Sequence, residues 1–190
     1  CVSGSLETYG MLPGIQGEQR LKVLERFKNA YASSVGMGSV MDYLGTTGID
    51  SLAGADILKV APQKYSSTVT YPGSKVANKL KGVAQVHLAD LGTRIFYLDH
   101  GSFDTHASQL GEHAKLWKEV SEGIEAFFAD LRAHDAADNV LMLLFTEFGR
   151  RVHDNGSGTD HGAGGVAFAI GEPVKGGQYS EYPSLKAEDL

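Results

Sequence analysis

Three short apolar runs, and the long amphipathic stretch between the first two, do most to limit the folds open to this chain. Ile95-Phe96-Tyr97-Leu98, Val140-Leu141-Met142-Leu143-Leu144-Phe145 and Val166-Ala167-Phe168-Ala169-Ile170 are continuous rather than alternating. That is the pattern of strands buried on both faces. From about Gln109 to Ala133, Leu116, Val120, Ile124, Phe127 and Leu131 recur at helical spacing and predict a long helix with that face turned inward. Strand, helix, strand, loop, strand predicts an α/β fold: a mostly parallel sheet with right-handed crossovers and flanking helices. Three strands make a thin sheet, so the fold is expected to be incomplete over these residues.

The first part of the chain reads differently. Residues 1–17 are rich in glycine with little periodicity, an irregular opening segment. From Glu18, Leu21, Leu24, Phe27 and Tyr31 predict an amphipathic helix ending before Gly36. A weaker helical stretch is expected from about Ile49 to Val60, stopped by Pro62. Lys64 to Thr70 reads as a loop, and Ser74 can cap a helix carrying Val76, Leu80, Val83, Ala84 and Leu88 on one face. With 190 residues, 42% of them hydrophobic, one domain is expected. It would comprise a helical and irregular region over 1–70 and an α/β core over 71–190.

Composition removes several function classes. The net charge of -6, with no lysine or arginine run, argues against a nucleic-acid binder, which needs a clustered basic surface. No apolar stretch approaches the length of a membrane span. Cys1 is the single cysteine, so no internal disulfide forms. No export signal is legible in these residues, and both ends read as cut. A G-x-S-x-G elbow is absent, Gly73-Ser74-Lys75 lacks the order of a phosphate loop, and Gly162-Ala163-Gly164-Gly165 precedes a strand rather than a helix, unlike a dinucleotide fingerprint.

What remains is a set of acidic and imidazole clusters at the ends of the apolar runs. Asp104 and His106 follow the first run after a short turn, Glu147 follows the second, and Asp160 and His161 lie in a glycine-rich loop before the third. Carboxylates and imidazoles gathered at strand ends are the raw material of a divalent-metal site. Without a thiolate, such a set favours zinc or manganese over copper(I) or an iron–sulfur cluster. Each cluster also has a plainer reading: a turn Asp capping the next helix, a Glu that caps or pairs, two polar residues in a loop. His113, seven positions beyond His106, can turn toward the site as a ligand, an acid or a partner to a ligand, or simply be a polar residue at a helix start. Arg150 can hold a phosphate or sulfate oxyanion, or pair with surplus carboxylates. His100 reads as a turn residue, and His87, His134 and His153 as flank, helix-end and surface residues.

Taken as a set, the residues carry a resemblance. Tyr71-Pro72-Gly73-Ser74, Gly101-Ser102-Phe103-Asp104-Thr105-His106, Thr146-Glu147-Phe148-Gly149-Arg150-Arg151 and Asn155-Gly156-Ser157-Gly158-Thr159-Asp160-His161-Gly162, in this order, resemble the DUF1501 family, a bacterial group placed in the alkaline phosphatase and sulfatase superfamily. The resemblance implies an alkaline-phosphatase-like sandwich with metal ligands at the carboxyl ends of the sheet. Asp104 and His106 would serve one metal, Glu147 would stand where an acidic ligand follows a strand, and His161 with Asp160 would complete the cluster. It also implies export to the periplasm, and a nucleophile that is not visible in these residues. The expectation is therefore a divalent-metal hydrolase of phosphate or sulfate esters, small or polymer-borne, with Arg150 and His113 binding substrate. The alternative is an exported binding or structural protein that keeps the fold without the chemistry.

Overall fold

The structure, a computed structural model, describes residues 14–15, 17–58 and 60–186. The expected irregular opening over residues 1–17 therefore lies almost wholly outside the described residues. The chain divides into two compact units, one of residues 1–66 with 82–96 and one of 67–81 with 97–190.

The first unit is built from helices. Helix α1, Gly17–Ala32, places Leu24, Phe27 and Tyr31 on its half-buried side and leaves Leu21 exposed. Helix α2, Ser39–Leu58, starts well ahead of the expected Ile49 and packs against α1. The contact explains the extension. A Cβ built on Gly48 would lie 2.2 Å from the Tyr31 ring, so only glycine lets the ring seat against α2 here. Pro62 falls in the first turn of the short helix α3, Ala61–Lys64, where a missing N–H leaves no bond unmade. Ala61 then packs with Val86 and Ala89, with Leu58 and Leu91 against them, as an apolar core.

Helix α4, Lys75–Leu88, has its first half in the second unit, where Ser74 caps it by accepting the Ala77 N–H at 3.3 Å. Val76, Ala77 and Leu80 from its first turns are buried. Helix α5 runs Gln109–Ala133 and buries Leu116, Val120, Phe127, Phe128 and Leu131, with Ile124 half-buried. The inward face thus follows the spacing of the sequence. Each such side chain removed from water contributes about 1.5–3 kcal/mol. One member of this face is charged: Asp130 is fully buried and accepts hydrogen bonds from the Tyr71 hydroxyl at 2.8 Å and from Ser67 Oγ.

The strands depart from expectation. Strands β1, Met142–Leu144, and β4, Phe168–Ile170, pair antiparallel, with Leu143 opposite Ala169. Strands β2, Gly149–Asp154, and β3, Thr159–Gly162, form a second antiparallel pair with an irregularity between Arg150 and Asp154. No parallel pairing occurs among the described residues. Nor are the apolar runs buried on both faces as expected: Leu143 is 63% exposed and Phe168 41%. Here the residues between β1 and β4 form a hairpin instead of the crossover helix that parallel neighbours need. Residues 95–98, expected as a strand, have no ladder partner, and Ile95 is 88% exposed. Among the described residues, no helix is long and apolar enough to cross a membrane.

Candidate metal centre

Two segments of the second unit build the site: the loop that leads into α5, and the β2–β3 hairpin. The loop is bracketed by Ser102 and Ser108, whose φ angles of 74° and 51° lie in the left-handed region. Each such residue costs on the order of 1–3 kcal/mol and persists only where its surroundings hold it. The hairpin does the holding. Ser157 accepts the Gln109 N–H on its carbonyl at 3.2 Å and the Ser108 N–H on its Oγ at 2.9 Å, so the turn caps α5 in place of a side-chain cap from Ser108. Thr159 Oγ1 donates to Gln109 Oε1 at 3.0 Å. Gly158 lies so close that a Cβ there would stand 2.8 Å from the His106 carbonyl oxygen.

Clasped in this way, the two segments bring Asp104, His106 and His161 together, with one possible ligand atom from each lying within 4.8 Å of the others. His161 Nε2 stands 2.7 Å from Asp104 Oδ1, and His106 Nε2 stands 3.0 Å from the same oxygen. His106 Nδ1 faces Asp160 Oδ1 at 3.2 Å. Both nitrogens of one imidazole therefore face carboxylates. A neutral imidazole has only one N–H, so one of these contacts requires a second proton or a cation in its place. The donor set fits a cation well. Asp160 would fix the Nδ1–H tautomer of His106 and leave Nε2 as the ligand, the usual arrangement around a metal-binding histidine.

The local electrostatics run the same way. The hydrogen bond from His161 holds the Asp104 carboxyl below its usual range, and the charges of His161 and His106 add to it. Asp160 is likewise lowered, first by the Asn155 amide and then by His106. The site remains open to solvent, with the side chains of Asp104, His106 and His161 at 63, 44 and 45% exposure. The His161 ring stacks on Phe148 at 4.0 Å between centroids, and the two imidazoles lie 4.9 Å apart.

Glu147, Arg150 and His113 lie outside the converging group. Glu147 is exposed on the loop after β1. Arg150 directs Nη2 to the Phe103 carbonyl at 2.7 Å and Nη1 to the Thr159 carbonyl, and its guanidinium lies over Phe148. It ties the loop to the hairpin, leaving fewer donors for an anion. His113 accepts the Trp117 indole N–H on Nε2 at 2.9 Å, so its proton is on Nδ1, a buried atom with no partner. Phe103 meets the rings of His100, His113 and Trp117 edge-on. Asn155, Ser157 and Phe148 were not singled out in the sequence. Their signal was membership of the motif blocks that flank the acidic clusters, with no role attached to them.

No curated protein and no solved structure matches the chain. The family model described as "Protein of unknown function (DUF1501)" matches residues 61–189, more than half of the chain and every residue of the centre. The chain belongs to the DUF1501 family.

Proposed function

We propose that Asp104, His106 and His161 bind one divalent cation, zinc or manganese, and that the centre serves the hydrolysis of phosphate or sulfate esters. The observation that carries this is the convergence of two imidazole nitrogens on a single oxygen of Asp104. Two imidazoles and a carboxylate suit a borderline-hard divalent ion, and three protein ligands leave a position open for substrate, as catalytic zinc sites do. A bound cation supplies Lewis acidity toward an ester oxygen. The chain's own residues do the positioning: Asp160 orients His106, Phe148 backs the His161 ring, and Arg150 holds the loop that carries Asp104. The alkaline-phosphatase-like sandwich and superfamily belong to the same proposal. Their support is the ordered motif blocks alone.

The test is to strip the full chain with chelator and titrate it with Zn²⁺ and with Mn²⁺, then to assay phosphate and sulfate monoesters. One ion per chain is expected, lost in the double variant His106→Ala, His161→Ala and kept in Glu147→Gln. Absence of stoichiometric binding for both ions would overturn the metal centre. Binding without hydrolysis of any ester would retain the centre and favour a non-catalytic binding protein.

A further inference from the structure

Asp160 contributes no atom to the converging group, yet its carboxylate must be aimed at His106 Nδ1 if that ring is to present Nε2. The aim comes from Asn155. Its Nδ2 donates to Asp160 Oδ1 at 3.2 Å, the oxygen that also faces His106 Nδ1. The same Nδ2 donates to the backbone carbonyl of His106 at 3.2 Å. Both hydrogens of one amide therefore span the backbone of a ligand and the carboxylate that orients that ligand's ring.

The other end of the amide is equally committed. Asn155 Oδ1 accepts the N–H groups of Ser157 at 3.1 Å and Gly158 at 2.9 Å, which leaves the side chain no freedom to flip. The backbone N–H of Asn155 donates to the Gly158 carbonyl at 2.9 Å and closes the turn. An aspartate has the same shape but only acceptors. At this position it would set a carboxylate against both Asp160 Oδ1 and the His106 carbonyl.

We infer that Asn155 is a positioning residue of the metal centre: its amide fixes Asp160, and through it the tautomer and direction of His106. The inference rests on the metal reading above and deepens it by naming what sets the geometry of the ligand. Outer partners of this kind characteristically change metal affinity about 10- to 100-fold when removed.

Asn155→Ala and Asn155→Asp separate positioning from charge. If Asn155 mattered only through the local field, the added carboxylate of Asn155→Asp would tighten cation binding. Positioning predicts that both variants bind Zn²⁺ at least about tenfold more weakly than the full wild-type chain, by calorimetric titration with Zn²⁺ alone. A second readout needs no metal: the nitrogen resonances of His106 in chelator-treated protein. The Nδ1–H···Asp160 hydrogen bond should be present in the wild type and lost in both variants, while melting of the rest of the chain stays close to wild type. Wild-type Zn²⁺ affinity in Asn155→Ala, or an unchanged Nδ1–H hydrogen bond in both variants, would overturn the inference. Failure of the wild type to bind Zn²⁺ or Mn²⁺ would instead remove the metal reading, and the hydrogen-bond comparison would still decide what Asn155 does to His106.

Discussion

Gly158→Ala tests the clasp on which the centre is built. The added methyl would stand 2.8 Å from the His106 carbonyl oxygen, 2.9 Å from its carbonyl carbon and 3.1 Å from Gln109 Cβ. Contacts of this kind relax near 3.5 Å, so the hairpin and the loop must part by roughly 0.7 Å. If the core tolerates the crowding without parting, overpacking costs about 1–3 kcal/mol. If the segments part instead, the hydrogen bonds nearest Gly158 go first: Gln109 to Ser157, Ser108 to Ser157, and Asn155 to His106. At about 0.5–1 kcal/mol each for exposed bonds, that route costs about 1.5–3 kcal/mol. Both routes give the same range. Because φ at Gly158 is not positive, no backbone penalty confuses the result, and by chain entropy alone alanine would stabilise by about 0.4–1 kcal/mol. Urea unfolding of the chelator-treated protein measures the loss, with Gly111→Ala as the control. Nothing lies within 4 Å of a Cβ at Gly111, on an exposed turn of α5, so that variant should be neutral or stabilised by up to about 1 kcal/mol. Equal unfolding midpoints for Gly158→Ala and wild type would refute the close approach and, with it, the clasp.

Other outcomes follow from the same geometry. Phe127, 2% exposed and edge-on to Phe128, should cost about 3–5 kcal/mol when replaced by alanine, read from the urea midpoint; a loss under about 1 kcal/mol would mean that α5 buries another face. The Asp99 carboxyl is held below its usual range by the hydrogen bond from Lys79 at 2.8 Å. A depressed pKa stabilises above the unfolded value of about 3.9 and loses that contribution as pH falls through the folded value. Asp99→Asn should therefore flatten the acid limb of melting temperature against pH, and an unchanged slope below about pH 4 would count against the pair.

How much of this was legible varied with the kind of signal. The bounds and inward face of α5 followed from spacing alone, because Leu116, Val120, Phe127 and Leu131 form one apolar stripe in a run of good helix formers. The first half of helix α2 is not legible because a glycine such as Gly48 weakens a helix locally, and the Tyr31 ring that uses its bare backbone is invisible at that range. The strand runs were located at 140–145 and 166–170, but their direction was not. Pairing direction depends on the path between strands, and hydropathy carries no record of it. Asp104, His106 and His161, which the structure brings together, stood out as candidate ligands because imidazole and carboxylate announce their chemistry by type. Asn155 was not, since an Asn-Gly pair in a turn is ordinarily explained by the turn itself.

Asp130 has a consequence for conformational uniqueness. A helix of 25 residues with an apolar stripe can slide by one turn, about 5.4 Å, and meet nearly as much apolar surface as before. Such a slide would carry the Asp130 carboxylate away from the Tyr71 and Ser67 hydroxyls, while His134 on the same helix would move with it. An unsatisfied buried charge is among the most expensive errors a fold can contain. The residue thus adds little to the depth of the native basin and much to the height of its nearest rivals. Replacing Asp130 with leucine would keep α5 helical while letting it dock in more than one register, visible as broadened side-chain resonances without loss of helical content.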